Sequence, residues 1–75
     1  MRPFLLKGIR MQVSVNGQNE EIEAQSLDSY LNSRLLLGHR IAVELNGEIV
    51  PKSQFSSVML VDGDVLEIVH AIGGG

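Results

Sequence analysis

Two hydrophobic periods alternate along this chain. Met11, Val13 and Val15 are apolar where Gln12 and Ser14 are polar, and this period of two predicts a half-buried strand over residues 11–16. Asn16-Gly17 follows, a pair that accepts positive φ at both positions and so predicts a tight hairpin. The return strand spans residues 20–24, with Ile22 and Ala24 toward the core and Glu20, Glu21 and Glu23 along an exposed face that discourages edge pairing. The period then changes. Ser26 is placed as a helix N-cap with Asp28 in the first turn, and Leu27, Tyr30, Leu31 and Leu35 fall on one helical stripe, predicting a helix over residues 27–36 stopped near Gly38. Strand alternation resumes over residues 40–45, with Ile41, Val43 and Leu45 inward, and Asn46-Gly47 predicts a second hairpin. Its return strand, residues 48–50, ends at Pro51, which has no N–H for a ladder. Residues 52–57 are irregular or a single helical turn, with Phe55 as the plug. Residues 58–61 lead into the turn Asp62-Gly63-Asp64, and a last strand runs from Val65 to His70 or Ala71.

The order β-β-α-β-β-β leaves one helix with an apolar stripe, and in so short a chain only a sheet can cover it. If the last strand lies beside the first and parallel to it, the helix packs across a mixed sheet of four to five strands. That is the layout of the ubiquitin-like β-grasp, an α+β fold. A purely antiparallel meander leaves the helix no place.

Length and charge narrow the function. Seventy-five residues make one domain. A domain of this size buries only roughly 60% of its unfolded surface, so its core is small. The formal net charge of −3 argues against a nucleic-acid partner, and no apolar run reaches membrane-spanning length. There is no cysteine, which excludes disulfides, cysteine-held zinc and a thiol nucleophile, and with the soluble composition predicts a cytoplasmic protein. Residues 1–10 carry three of the six basic residues and no acid, leaving residues 11–75 at −6. We take residues 1–10 as a leader outside the domain rather than as the first strand extended backwards, since Met11 opens a patterned strand. The domain is then residues 11–72 and the tail residues 73–75.

No catalytic constellation is present. His39 and His70 lie far apart in sequence without a ligand pattern, Asp62 and Asp64 flank a turn glycine, and no glycine-rich loop precedes a helix. We therefore expect no bound metal or cofactor and no enzymatic activity from the chain alone. What stands out is Gly73-Gly74-Gly75, the only glycine run in the chain, which follows the last strand with no polar spacer. A thin tail that accepts unusual φ and ψ suits entry into a narrow activating site, and a carbonyl without a neighbouring side chain is open to attack.

The segment from Asp62 to Gly75, D-G-D-V-L-E-I-V-H-A-I-G-G-G, closely resembles the C-terminus of the ThiS sulfur carrier proteins of thiamine biosynthesis. Met11 to Gln18, M-Q-V-S-V-N-G-Q, resembles their start, and Asn46 to Pro51, N-G-E-I-V-P, their middle hairpin. The resemblance implies that an ATP-dependent adenylating enzyme (ThiF-like) attaches AMP to the Gly75 carboxylate. Sulfur from a persulfide donor then leaves a thiocarboxylate there, and thiazole synthase (ThiG-like) receives the sulfur. Gly73 and Gly74 would thread the activating site, with ATP used by the partner and no cofactor held by this chain. The small subunit of molybdopterin synthase shares the Gly-Gly tail, but its tails carry prolines where this chain has His70-Ala71-Ile72. A carrier for tRNA thiolation and a β-grasp interaction module with an inert tail are the other readings. In the last strand Leu66 and Ile68 point inward, so Val65, Glu67, Val69 and Ala71 form an exposed face that, with Ile72, is the expected partner surface.

Overall fold

In a computed structural model of the chain, whose described residues are 9–71, the elements are β1 (Arg10–Val15), β2 (Gln18–Glu23), α1 (Leu27–Ser33), β3 (Ile41–Leu45), β4 (Glu48–Ile49) and β5 (Val65–His70), with a 3₁₀ helix over Lys52–Ser57. The sheet order is β2-β1-β5-β3-β4. β1 and β5 run parallel, with Ser14 opposite Val65 and Val15 opposite Leu66, and all other neighbours are antiparallel. The last strand of the domain is therefore the central strand of the sheet. The expected β-grasp layout is the observed one, with all five strands in one mixed sheet.

One face of the sheet carries the core. Val13 from β1, Ile22 from β2, Val43 from β3, and Leu66 and Ile68 from β5 are buried against Leu27, Tyr30 and Leu31 of α1. Phe55 of the 3₁₀ helix and Leu60 close the core on the side of the α1 N-terminus. There the Leu27 N–H donates to the Val58 carbonyl at 2.8 Å and the Leu60 N–H to the Gln25 carbonyl at 3.0 Å. Each fully buried Leu contributes roughly 1.5–3 kcal/mol of transfer free energy, so this short list holds most of what stabilises the domain.

The helix starts as expected, with the Ser26 hydroxyl accepting from the Ser29 N–H at 3.3 Å. It ends sooner than the stripe predicted. Leu35 has φ +61°, the left-handed conformation, and α1 stops at Ser33. The Leu36 N–H reaches back to the Leu31 carbonyl at 2.8 Å and the Leu35 N–H to the Asn32 carbonyl at 3.0 Å, the Schellman pattern that ends many helices. Glycine ordinarily fills this position; here Leu35 does, 79% exposed, and Leu36 rather than Leu35 packs on the core. Ala24 is also corrected. β2 ends at Glu23, the chain bends, and Ala24 is exposed while its N–H donates to the Ile9 carbonyl at 2.9 Å. Arg10, counted with the leader by its charge, is the first residue of β1, opposite Glu23 and ion-paired to Glu21.

Candidate functional site

The site is built on β5. Its side chains alternate as expected: Leu66 and Ile68 are buried, and Val65, Glu67 and Val69 face outward with Ala71 exposed beyond the strand end. Val69 is 58% and Val65 42% exposed. Ile72, Gly73, Gly74 and Gly75 lie outside the described residues.

Register adds residues that sequence reading missed. Ala42 lies opposite Val69, and Glu44 opposite both Glu67 of β5 and Ile49 of β4. Ala42 and Ile49 therefore widen the exposed apolar face around Val69; Ile49 is 71% exposed. Glu44 and Glu67 face each other directly. Like charges directly opposite on a sheet are unfavourable. Neither takes part in an ion pair among the described residues. Among the described residues the outer face thus carries apolar side chains around an acidic centre without an ion-pair partner. From sequence, residues 48–50 are only a short return strand; that Ile49 lies beside Glu44 depends on register.

β5 is held by two asparagines that the sequence marked only as turn residues. Asn16 and Asn46 take the positive φ expected of the hairpins, +51° and +53°. Their side chains then act at long range. The Asn16 side-chain carbonyl accepts from the Ile68 N–H at 2.7 Å, and its amide donates to the Ile68 carbonyl at 3.1 Å. Asn46 accepts from the Val65 N–H at 2.9 Å and donates to the Asp64 carboxylate at 3.0 Å. Asp64 is only 6% exposed, and its other oxygen accepts from the Val61 N–H at 2.8 Å. Asp62 accepts from the Gln12 N–H at 2.7 Å. Asp64 thus closes the expected turn ahead of β5, and Asp62 ties that turn to β1.

The histidines are not apart in space. His39 and His70 meet edge to face at the end of β5, with ring centroids 6.1 Å apart. No group of three or more metal-ligating side chains exists among the described residues. A shallow depression lined by Gln12, Ser14, Asn19, Asp62 and Val65 lies at the start of β5, the end away from the tail. Among the described residues, no helix is long and apolar enough to cross a membrane.

Away from the site, Tyr30 ties the helix to β2. Its hydroxyl donates to Glu20 at 2.8 Å, and Arg34 pairs with the same carboxylate and stacks over the Tyr30 ring at 5.0 Å. Burial, with the adjacent Glu20 adding to it, pushes the Tyr30 hydroxyl up to about 12.

The model of the ThiS family matches residues 9–75. A thiazole synthase of Paramagnetospirillum magneticum is 41% identical over 66 residues, which are 87% of this chain and 20% of that protein. The chain therefore spans a fifth of the length of this relative. The sulfur carrier protein ThiS of Bacillus subtilis is 42% identical over 50 residues, 67% of this chain and 76% of that one. Among solved structures, the crystal structure of the thiamine biosynthesis protein ThiS from Geobacter metallireducens superposes with a TM-score of 0.76 at 29% identity, covering 87% of this chain and 100% of that one.

Proposed function

This chain belongs to the ThiS family of sulfur carriers of thiamine biosynthesis, and from that premise we propose that the sulfur travels on the carboxyl carbon of Gly75 as a thiocarboxylate. The observation that carries this is the span of the family match, which runs through Gly73, Gly74 and Gly75 to the last residue. The strand before the tail supports it. β5 has a neighbour on each side and pairs with β3 as far as His70, so the tail leaves from a rigid element.

A carboxylate is a poor electrophile until one oxygen becomes a good leaving group. An ATP-dependent adenylating partner supplies this: a carboxylate oxygen attacks the α-phosphorus of ATP, pyrophosphate leaves, and an acyl-adenylate remains. The terminal sulfur of a persulfide attacks the carbonyl carbon and AMP departs. A thiol then cleaves the sulfur–sulfur bond, forming a disulfide with the donor and leaving the thiocarboxylate. This chain has no cysteine, so persulfide and thiol both belong to partners. The thiocarboxylate sulfur is nucleophilic, as a thiolate is. The carrier positions it, converting a bimolecular transfer into an effectively intramolecular one.

Thiazole synthase is the proposed acceptor. Relatives of that name contain a segment like this chain within a longer polypeptide. Such a fusion holds carrier and acceptor at high effective concentration. The partners dock on the outer face around Val65, Glu67, Val69, Ala71 and Ile72, widened by Ala42 and Ile49, and present a basic group to Glu44 and Glu67.

The test is the intact mass of the chain after incubation with ATP, the adenylating partner and a persulfide donor. The expected result is a gain equal to replacing one oxygen by sulfur, abolished by deleting Gly75. No gain with a demonstrably active partner overturns the proposal.

A further inference from the structure

Among the described residues, the hydrogen-bonding edges of β5 leave one residue unpaired. Toward β3, the Asn46 N–H donates to the Val65 carbonyl at 2.7 Å and the Ala71 N–H to the Arg40 carbonyl at 2.8 Å. In an antiparallel ladder these bonds alternate along the strand, so Val65, Glu67, Val69 and Ala71 turn their backbone groups to β3. Leu66, Ile68 and His70 turn theirs the other way, toward β1. There the Asp64 and Leu66 carbonyls accept from Ser14 and Asn16, each at 2.9 Å. β1 then ends at Val15. Ile68, the next residue outward, has no strand beside it; the Asn16 side chain satisfies both its N–H and its carbonyl. His70 comes after that, and neither its N–H nor its carbonyl has a partner among the described residues. Its side chain and Ala71 are exposed.

We propose that an extended segment of the adenylating partner pairs with the His70 backbone in the slot that β1 vacates, joining the sheet as an added strand at the end of β5. An unpaired N–H and carbonyl on one residue, pointing the same way along a strand edge, are matched by one residue of an antiparallel segment that exchanges both bonds. Asn16 sets the boundary of the slot. By filling the Ile68 rung it leaves the described edge one residue long, too short to recruit other chains unaided. In sequence Ile72 and the glycines follow His70 after a single residue, so pairing there acts on the strand end that precedes the tail. This inference rests on the proposed function only in that the tail is handed to a partner.

His70 is a position where the donor can be removed selectively. Proline tolerates a strand when its N–H side faces an open edge. At 70 it removes no internal bond, and Val69 before it is already extended. The binding of full-length H70P to the adenylating partner, measured by calorimetry, is expected to be about three- to tenfold weaker than that of H70A, which lacks the same side chain but keeps the N–H. Amide exchange on the unmodified chain gives a second readout free of folding effects. The His70 N–H exchanges as an open amide in the free carrier and is protected in the complex, while the Ala71 N–H is protected in both. Equal affinity of folded H70P and H70A, or unchanged His70 exchange in the complex, overturns the proposal. Protection of His70 that grows with carrier concentration alone makes the occupant a second copy and also overturns it. If the unmodified chain gains sulfur while H70P and H70A bind alike, only strand pairing fails; if the unmodified chain never gains sulfur, the carrier mechanism itself fails.

Discussion

The two hairpins of this domain carry the same turn, Asn-Gly, with nearly the same backbone: φ +51° and +85° in the first, +53° and +89° in the second. Their asparagines do different work. Asn16 takes the place of a missing strand and holds the middle of β5 through the Ile68 backbone. Asn46 locks the entry to β5, binding the Val65 N–H and a buried carboxylate. The hairpins are also anchored differently. The first has a six-residue return strand tied to the helix through Glu20, while the second returns through only two residues. The same local signal thus yields the same turn, and the tertiary partner decides what the turn residue does.

The largest effect should come from the second hairpin's partner. Asp64→Ala removes a buried acceptor of the Val61 N–H and strands the Asn46 amide, and is expected to cost about 2–3 kcal/mol in urea unfolding. The first hairpin is expected to loosen at high pH. Tyr30 is raised from 10.0 to about 12, so its contribution is complete below pH 10 and is lost as pH rises through 12. At about 1.4 kcal/mol per pKa unit the shift sets a ceiling of about 3 kcal/mol, which solvent screening of the partly exposed hydroxyl reduces to on the order of 2 kcal/mol, and Tyr30→Phe should abolish this alkaline slope in unfolding titrations. Next come the asparagines, each replaced by glycine to keep the positive φ. Asn46→Gly should cost about 1–2 kcal/mol, since it weakens the satisfaction of a buried charge, and Asn16→Gly about 1 kcal/mol. Amide exchange separates the two: Asn16→Gly should expose the Ile68 N–H and leave Val65 protected, and Asn46→Gly the reverse. If both variants open the same amides, the two turns do the same work and the contrast collapses. The smallest effect lies outside both hairpins. Leu35→Gly should stabilise the domain by about 0.5–1 kcal/mol, because a left-handed leucine is strained where glycine is not.

The alternation of Met11, Val13 and Val15, the two Asn-Gly turns and the in-out order of β5 were legible because a strand's period and a turn's φ are local properties. The helix end was not. Gly38 is left-handed too, at φ +88°, but the helix has already ended at Leu35, where Leu36 and not Leu35 reaches the core. Ala24 reads as inward only if β2 continues past Glu23, which the bend prevents. The bonds from Asn16 to Ile68 span 52 residues, and the meeting of His39 with His70 and of Glu44 with Glu67 depends on register, so no local pattern announces them. Of the candidate site, the exposed side chains of β5 were readable and the neighbours that widen the face were not. The glycine tail was marked by composition and resemblance.

The central place of β5 has a consequence for how the domain is made. The strand flanked on both sides is the last to be synthesised, and its partners β1 and β3 wait for it with their inner edges unpaired. Contacts between such distant segments form late and slowly. A nascent chain cut short anywhere before Val65 lacks Leu66 and Ile68 and has no sheet centre on which to close its core. Early termination before Val65, which removes the tail, therefore also removes the fold. Such chains remain unfolded and open to proteolysis, instead of accumulating as tailless domains that occupy a partner's docking face.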